Sequence, residues 1–399
     1  MKKGSVQFEV IVGTYEEFVL GYQFLFEDCI KGELTQTFAT HSHRASVRAV
    51  ASCGKLVVSG GADETINIYN MFTRKESGML MEHNGTITSL SFTPDCSHVI
   101  STSEDGSIKI FRQGSWQLEK VWPKAHKGTA VTCLAVHPSG KMALSVGKDH
   151  TLRTWNLVKG RPAYTTNLYS RCKQLENVVW SPGGILFAIP MDSKLEISST
   201  EKAGILQTLE LQSKVTACIF LSDEVVCVGE ASGAVSGYSI EGSCLWSLPV
   251  EERVRGLAYL HSQLVMGTSG GKIRVYHTPD VTEPPQLAAS ADTGCRITCL
   301  TLYDYKSEVK VKKEPSDGDP IDEESSPSSK SIHKKKRKLS GFEETSVLSQ
   351  PDSPQKKKKT NGFEQVPVSD TQTSRKKSKS RTVTQNPCGQ KWIVEDSKR

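Results

Sequence analysis

Apolar and polar residues alternate with a period of two through most of the first 305 residues. The alternating runs are short and are separated by turn-forming Gly, Asp, Asn and Ser. Clear examples are 55–60 (KLVVSG), 98–103 (HVISTS) and 141–146 (KMALSV). Alternation of this kind places one face of each run against a core, as in half-buried β-strands. The pattern therefore predicts an all-β fold for this part of the chain.

One phrase recurs at a nearly fixed distance along the chain. In it, a turn with Gly and Asp precedes a strand that ends in an aromatic residue. The copies span 60–70, 102–112 and 147–156 and, more faintly, 190–199, 230–239 and 268–277. Successive copies are 42, 44, 43, 40 and 38 residues apart. Units of about 40–45 residues with four short strands are typical of the blades of a WD40 β-propeller.

Four side chains of the third repeat have the spacing of the WD40 structural tetrad. They are His126, Ser145, Asp149 and Trp155. In that arrangement His, Ser, Asp and the indole N–H form a hydrogen-bonded chain across the blade, which is favourable only when every member has a partner. We therefore expect these residues to stabilise the blade.

The other repeats match the tetrad less completely. Repeats one and two keep three members and replace Trp with Tyr or Phe. Their sets are His43, Ser59, Asp63 and Tyr69, and His83, Ser101, Asp105 and Phe111. Repeats four to six lack the set, and we expect them to depend on apolar packing. A His–Ser–Asp set also resembles a hydrolase triad, but its recurrence at the blade period favours a structural role.

The two ends of the repeat region together supply a seventh unit. Residues 295–304 resemble an innermost strand, after which the pattern stops, whereas 6–15 and 17–26 are two alternating runs joined by a short turn. A last blade built from both ends closes the ring without an exposed sheet edge. We predict a seven-bladed propeller over residues 1–305.

The composition changes from about residue 306. Residues 306–399 are rich in Lys, Ser and Pro, with 22 Lys and Arg against 14 Asp and Glu. Residues 1–305 have 28 against 30, so the net charge of +6 at pH 7 comes from the C-terminal part. Such a segment buries too little apolar surface to offset its ordering entropy, so we predict a disordered basic tail.

Three basic clusters in this tail indicate nuclear import and non-specific affinity for RNA. They contain Lys334, Lys335, Lys336, Arg337 and Lys338; Lys356, Lys357, Lys358 and Lys359; and Arg375, Lys376 and Lys377. The alternative is a solvated tail without a partner. Ser326 and Ser353 each precede Pro and are candidate phosphorylation sites, and Lys312 fits a consensus for conjugation of a small ubiquitin-like modifier. We expect residence in the nucleus, and within it the nucleolus.

Several other classes of protein lack support in the sequence. No run approaches the roughly 18–20 apolar residues of a membrane span, and the N-terminus lacks the apolar core of a signal peptide. The 11 cysteines contain no CxxC pair, which favours free thiols over a zinc site or a disulfide framework. Phosphate-loop and dinucleotide fingerprints are absent. We expect no cofactor, no metal and no enzymatic activity.

The chain resembles the p21-activated-kinase-interacting protein 1-like family. The segments that carry the resemblance are 12–22, 61–71, 83–90, 125–128, 137–161 and 296–300. The resemblance implies a nucleolar WD40 protein that is needed for assembly of the large (60S) ribosomal subunit and is a negative regulator of p21-activated kinases.

We therefore expect a non-enzymatic, monomeric scaffold whose partners are 60S assembly factors and, through the tail, rRNA. One alternative is a protein that acts primarily as a kinase-binding inhibitor. A further alternative is a WD40 substrate adaptor or chromatin reader.

Overall fold

A computed structural model describes residues 6–26, 30–202 and 204–305, with side chains from Phe8 onward. Their 28 strands form seven four-stranded antiparallel sheets, arranged in chain order as the blades of a WD40 propeller. The predicted seven-bladed fold is thus confirmed. The tail, 306–399, lies outside the described residues, so its disorder and the domain boundary at 305 stay predictions.

The strands are short, as the alternating runs indicated. In chain order they are β1 Val6–Thr14, β2 Val19–Phe26, β3 Gly32–Thr40, β4 Val47–Cys53, β5 Leu56–Gly61, β6 Ile66–Asn70, β7 Lys75–Leu80, β8 Ile87–Phe92, β9 His98–Ser103, β10 Ile108–Arg112, β11 Leu118–Trp122, β12 Val131–Val136, β13 Met142–Gly147, β14 Thr151–Asn156, β15 Arg161–Asn167, β16 Val179–Trp180, β17 Leu186–Met191, β18 Lys194–Ser199, β19 Gly204–Glu210, β20 Val215–Phe220, β21 Val225–Glu230, β22 Ala234–Ser239, β23 Cys244–Pro249, β24 Val254–Leu260, β25 Gln263–Thr268, β26 Lys272–His277, β27 Gln286–Asp292 and β28 Ile297–Asp304. Blades 1 to 6 are β4–β7, β8–β11, β12–β15, β16–β19, β20–β23 and β24–β27, each running from the innermost strand outward.

Blade 7 joins the two ends of the repeat region. Its sheet has the order β28-β1-β2-β3, and Ile11 of β1 lies opposite Thr301 of β28. The innermost strand predicted at 295–304 and the strands predicted at 6–15 and 17–26 are therefore present. The outermost strand, β3, has few apolar residues and no fully buried one, so its alternation is faint in the sequence.

The core lies between neighbouring blades. Val58 and Ile68 of blade 1 belong to the same buried apolar cluster as Ile87 and Val99 of blade 2. A similar cluster joins Phe8 and other residues of blade 7 to blade 6. Each sheet thus buries both faces against its neighbours, and loss of one blade would expose two apolar faces to water.

One pair of cysteines departs from the free thiols expected from the sequence. Cys53 at the end of β4 is joined to Cys96 in the β8–β9 turn by a disulfide, with Cα atoms 5.8 Å apart. The expectation is wrong for this pair because the two residues are 43 positions apart, which is one repeat. Equivalent turns of neighbouring blades lie side by side, and this proximity is not visible as a local CxxC motif.

No helix in the described ranges is long and apolar enough to cross a membrane.

A buried carboxylate joins blade 7 to blade 1. Glu9 of β1 is inaccessible to solvent and accepts hydrogen bonds from Tyr305 (2.6 Å) and Thr37. Arg74, in the turn after β6, approaches the same carboxylate at 3.4 Å and donates to the Tyr305 hydroxyl at 3.0 Å. Burial and the bond to Glu9 raise the pKa of Tyr305 to about 12, so the phenol keeps its proton and donates.

We predict that Glu9→Ala lowers the free energy of unfolding by about 2–4 kcal/mol. Removing one partner of a buried ion pair usually costs as much as this or more. We expect a cost at the low end because the Arg74 side chain is a third exposed, so water would partly solvate its charge. Denaturant unfolding followed by Trp fluorescence measures the change. The matched control is Glu33→Ala on exposed β3, for which a change within about 0.5 kcal/mol is expected. Equal effects of the two substitutions would contradict a role for Glu9 in ring closure.

Candidate functional site

The four predicted tetrad residues of blade 3 form one continuous hydrogen-bonded chain. The indole N–H of Trp155 donates to Ser145 Oγ at 2.8 Å, and Ser145 Oγ lies 2.7 Å from His126 Nε2. His126 Nδ1 in turn lies 2.8 Å from a carboxylate oxygen of Asp149. The carboxylate accepts only, so Nδ1 carries the proton and Nε2 accepts from the serine. Trp155 also stacks on Trp122 with 4.3 Å between ring centroids.

The electrostatics of this chain favour a neutral imidazole beside a carboxylate. Burial lowers the pKa of His126, although the bond to Asp149 acts to raise it. Burial acts to raise the pKa of Asp149, but hydrogen bonds from His126 and Thr151 outweigh it and the pKa falls below its ordinary value. Gly147 lies beside the ring, where a Cβ would stand 2.6 Å from His126 Cγ, so glycine leaves room for the histidine.

Blades 1 and 2 contain the same chain with a different last member. His43 contacts Ser59 at 2.7 Å and both oxygens of Asp63 at 3.1 Å, and Ser59 Oγ lies 3.3 Å from the hydroxyl of Tyr69. In blade 2, His83 lies 2.7 Å from Ser101 and 2.9 Å from Asp105. Phe111 is fully buried at the aromatic position but has no polar atom, so the chain of blade 2 ends at the serine.

A fifth polar residue in each of these chains was missed in the sequence. The residue two positions after the aspartate has a hydroxyl, which approaches the same histidine Nδ1 at 3.2–3.4 Å. These residues are Thr65, Ser107 and Thr151. Thr151 also donates to Asp149 at 2.7 Å, and the Ser107 amide donates to Asp105 at 2.8 Å. The recurrent spacing Asp-x-Thr/Ser could have identified them.

These His–Ser–Asp sets lack the geometry of a hydrolase site. Ser59, Ser101 and Ser145 have no exposed surface, and each hydroxyl is already bonded to a histidine. A nucleophile must reach its substrate, and these oxygens cannot. The described residues also contain no group of three or more His, Cys, Asp or Glu side chains placed to hold a metal ion.

Comparison with known proteins places this fold in a named family. Residues 32–70, 74–112 and 116–156 match the WD40 family (WD domain, G-beta repeat). A chicken (Gallus gallus) protein named p21-activated protein kinase-interacting protein 1-like is 35% identical over 355 residues, which cover 86% of this chain and 92% of the relative. The human protein of nearly the same name is 34% identical over 353 residues, covering 83% and 88%. Shk1 kinase-binding protein 15 of Schizosaccharomyces pombe is 27% identical over 336 residues, covering 80% and 92%.

The chain belongs to the p21-activated protein kinase-interacting protein 1-like family. The resemblance inferred from the sequence segments is thereby confirmed. Each WD40 match in this family member begins in or just before the outermost strand of one blade and continues through three strands of the next, as 32–70 does from β3 to β6. The sequence repeat therefore spans the junction between blades, which ties neighbouring sheets together.

Blades 5 and 6 of this family member correct one expectation, because they do not depend on apolar packing alone. In blade 5, Ser213 before β20 donates backbone and side-chain hydrogen bonds to the buried carboxylate of Glu230 at the end of β21. In blade 6 the hydroxyl and the carboxylate exchange positions. Thr268 at the end of β25 donates to Glu252, which lies before β24, at 2.5 Å. Each pair links the loop before the innermost strand to the end of the second strand, the region that His and Asp link in blades 1 to 3.

The remaining predicted site residues cannot be placed in the fold. The three basic clusters, Ser326, Ser353 and Lys312 all lie outside the described residues. Their roles in import, RNA affinity and modification stay predictions.

We predict that Ser145→Ala destabilises the protein more than Ser101→Ala does. The first substitution leaves two buried groups without a partner, Trp155 Nε1–H and His126 Nε2, whereas the second leaves only His83 Nε2. One additional unsatisfied group costs about 1–3 kcal/mol in the free energy of unfolding, and denaturant titration of both variants measures the difference. Equal destabilisation would show that the indole bond contributes nothing.

We further predict that the protein loses stability as the pH falls from 6.5. Burial lowers the pKa of His83 and His126 below 6.5 in the folded state. The unfolded chain therefore binds protons in this range that the folded protein excludes, and the free energy of unfolding decreases with pH. Denaturation midpoints at pH 7.5, 6.5 and 5.5 measure this while carboxylates stay ionised.

The control for this titration is His41→Gln, since the His41 side chain is more than half exposed. It should retain the pH dependence of the natural protein. A midpoint that does not change between pH 7.5 and 5.5 would contradict the burial of neutral imidazoles.

Proposed function

We propose that this protein is a non-enzymatic scaffold that acts in the nucleolus in assembly of the large (60S) ribosomal subunit. The observation that carries the scaffold role is the closed seven-bladed ring, in which the three His–Ser–Asp sets are buried and each links strands within its own blade. A ring of this kind holds its loops in fixed positions and presents them to partners. The resemblance inferred from the sequence implies a role in ribosome assembly. Membership of the family supports this assignment, because it confirms the resemblance.

The basic clusters of the tail support nuclear residence. In this proposal Lys334–Lys338 and its neighbours direct import and add weak, sequence-independent affinity for rRNA. The ring then supplies the specific contact with an assembly factor.

Binding to a p21-activated kinase is the second candidate function. Its support is the names of relatives, which describe proteins that interact with p21-activated kinase or bind Shk1 kinase. In this role the ring binds a regulatory segment of the kinase and limits its activation, by contact alone.

Sedimentation of nuclear extract on a sucrose gradient tests the first role. We expect the full-length protein to sediment with 60S precursors. A full-length variant in which the basic residues of all three clusters are replaced by Gln, and which has a heterologous import signal, should sediment with them as well. The import signal separates loss of nuclear entry from loss of binding.

Two outcomes would contradict parts of the proposal. If only the natural protein co-sediments, the tail rather than the ring makes the specific contact. If neither form does, the assembly role is wrong, and co-precipitation with a p21-activated kinase then tests the second role. Failure of both assays would leave a substrate adaptor or chromatin reader as the function.

A further inference from the structure

The innermost strands share a β-bulge at one end of the central channel. In six blades one residue near the start of the innermost strand has no counterpart on the adjacent strand of its sheet. These residues are Arg48, Thr88, Thr132, Thr216, Arg255 and Thr298. All six line a cavity of about 730 Å³ at the mouth of the channel. A bulge redirects a side chain away from the regular alternation of the strand, and here it directs one residue per blade into the mouth.

The four threonines of this ring are used by the fold itself. Thr88 donates to the carbonyl of Val131 in the next blade at 2.6 Å, and Thr298 does the same to Val47 at 2.6 Å. Thr132 donates to Leu175 at 2.7 Å, while Thr216 bonds within its own blade at 3.1 Å. At these positions a threonine hydroxyl satisfies backbone carbonyls around the channel.

Arginine replaces threonine at two of the six positions. Arg48 of β4 and Arg255 of β24 lie on the strands that flank β28, so they stand on either side of Thr298. Arg253, two residues before Arg255, lines the same part of the mouth. Within the described residues these three guanidinium groups have no ion pair and no side-chain hydrogen bond, and all three residues are exposed to the channel solvent.

The other cations of the mouth already have partners. Lys148 pairs with Glu104 at 3.3 Å, and Lys214 pairs with Glu176 at 2.5 Å. Arg296 pairs with Glu16 at 2.8 Å and lies 4.0 Å above the ring of Tyr15. The unpaired positive charge is therefore concentrated in the sector of blades 6, 7 and 1.

The arginines of this sector repel one another. Withdrawal of the guanidinium from bulk water, together with the charges of Arg253 and Arg48, lowers the pKa of Arg255, against the opposing effect of Glu176. Clustered like charges without a counter-ion destabilise a fold. An anionic ligand at this place would remove the repulsion and gain bidentate hydrogen bonds.

We propose that Arg48, Arg253 and Arg255 form a binding site for an extended acidic peptide segment, whose Asp or Glu carboxylates enter the mouth of the channel. The volume of the cavity lies within the range of sites for small ligands, which suits a few side chains of a single peptide strand and is too small for a nucleic-acid duplex.

The composition of the mouth favours a peptide over single-stranded RNA. Proteins that bind single strands stack bases on free aromatic rings. Tyr15 is the aromatic residue among those that line the cavity, and Arg296 already covers one face of its ring. The inference concerns a site on the ring and does not depend on which assembly factor or kinase the protein serves.

The test measures binding of a fluorescein-labelled peptide of ten glutamates to the full-length protein by anisotropy. The variant is Arg48→Thr/Arg255→Thr, which introduces the residue that four other blades have at the same bulge and so should fold. We expect the dissociation constant to rise about tenfold or more, since bonds between charged groups are lost. Hydrogen exchange should show protection of 44–50 and 251–257 by the peptide in the natural protein and not in the variant.

The control variant is Lys75→Thr/Arg161→Thr, which removes the same charge from exposed outer strands, β7 and β15. It should bind as the natural protein does, because Arg48, Arg253 and Arg255 are unchanged in it. The basic tail is common to all three proteins and cannot account for a difference between them. Equal affinities of all three proteins without protection at the mouth would overturn the proposal, since the peptide then binds the tail. Stronger protection of the mouth by a labelled ten-nucleotide uridine oligomer than by the glutamate peptide would also overturn it, in favour of RNA.

Discussion

Closure of the ring is the constraint on which the rest of the structure depends. No blade has a core of its own, because each buries its two faces against its neighbours. The pairing of β1 with β28 brings residues almost 300 positions apart into one sheet, and without it the faces of blades 6 and 1 would be exposed. The buried Glu9, held by Arg74 and Tyr305, adds a polar bond between blades 7 and 1 at this junction. Every loop around the channel takes its position from that closure.

Polar hydrogen bonds also stabilise individual blades, by linking the segment before the innermost strand to the end of the second strand. In blades 1 to 3 a histidine before the innermost strand contacts an aspartate after the second strand, and in blades 5 and 6 a carboxylate and a hydroxyl do so. In blades 5 and 6 the loss of the tetrad is therefore a change of chemistry with the connection retained. The histidines of blades 1 to 3 and the Glu230 carboxylate of blade 5 are buried, so each of these groups is stabilising only as long as its partner is present.

Much of the fold could be predicted because its information is local and periodic. Alternation within each run predicted the strands, and the repeat length predicted the blades. The spacing from His126 to Trp155 indicated one hydrogen-bonded chain. What escaped prediction depends on pairs whose chemistry changes from one repeat to the next, or on contacts between two repeats. The Ser213–Glu230 pair exchanges donor and acceptor relative to Thr268–Glu252, so no common motif links them. The bond between Cys53 and Cys96 requires that two turns lie side by side.

The bulged positions of the innermost strands contain either threonine or arginine, and the two residues affect the fold differently. Threonine at such a position bonds a carbonyl of the same or the next blade, and this bond stiffens the channel. Arginine at the same position forms no such bond within the described residues and adds repulsion, so stability alone would favour threonine in blades 1 and 6 as well. The sector around Thr298 therefore forgoes two hydrogen bonds and gains unpaired positive charge. A ring already closed by β1 and β28 tolerates that loss, which is why a rigid propeller can maintain a charged mouth.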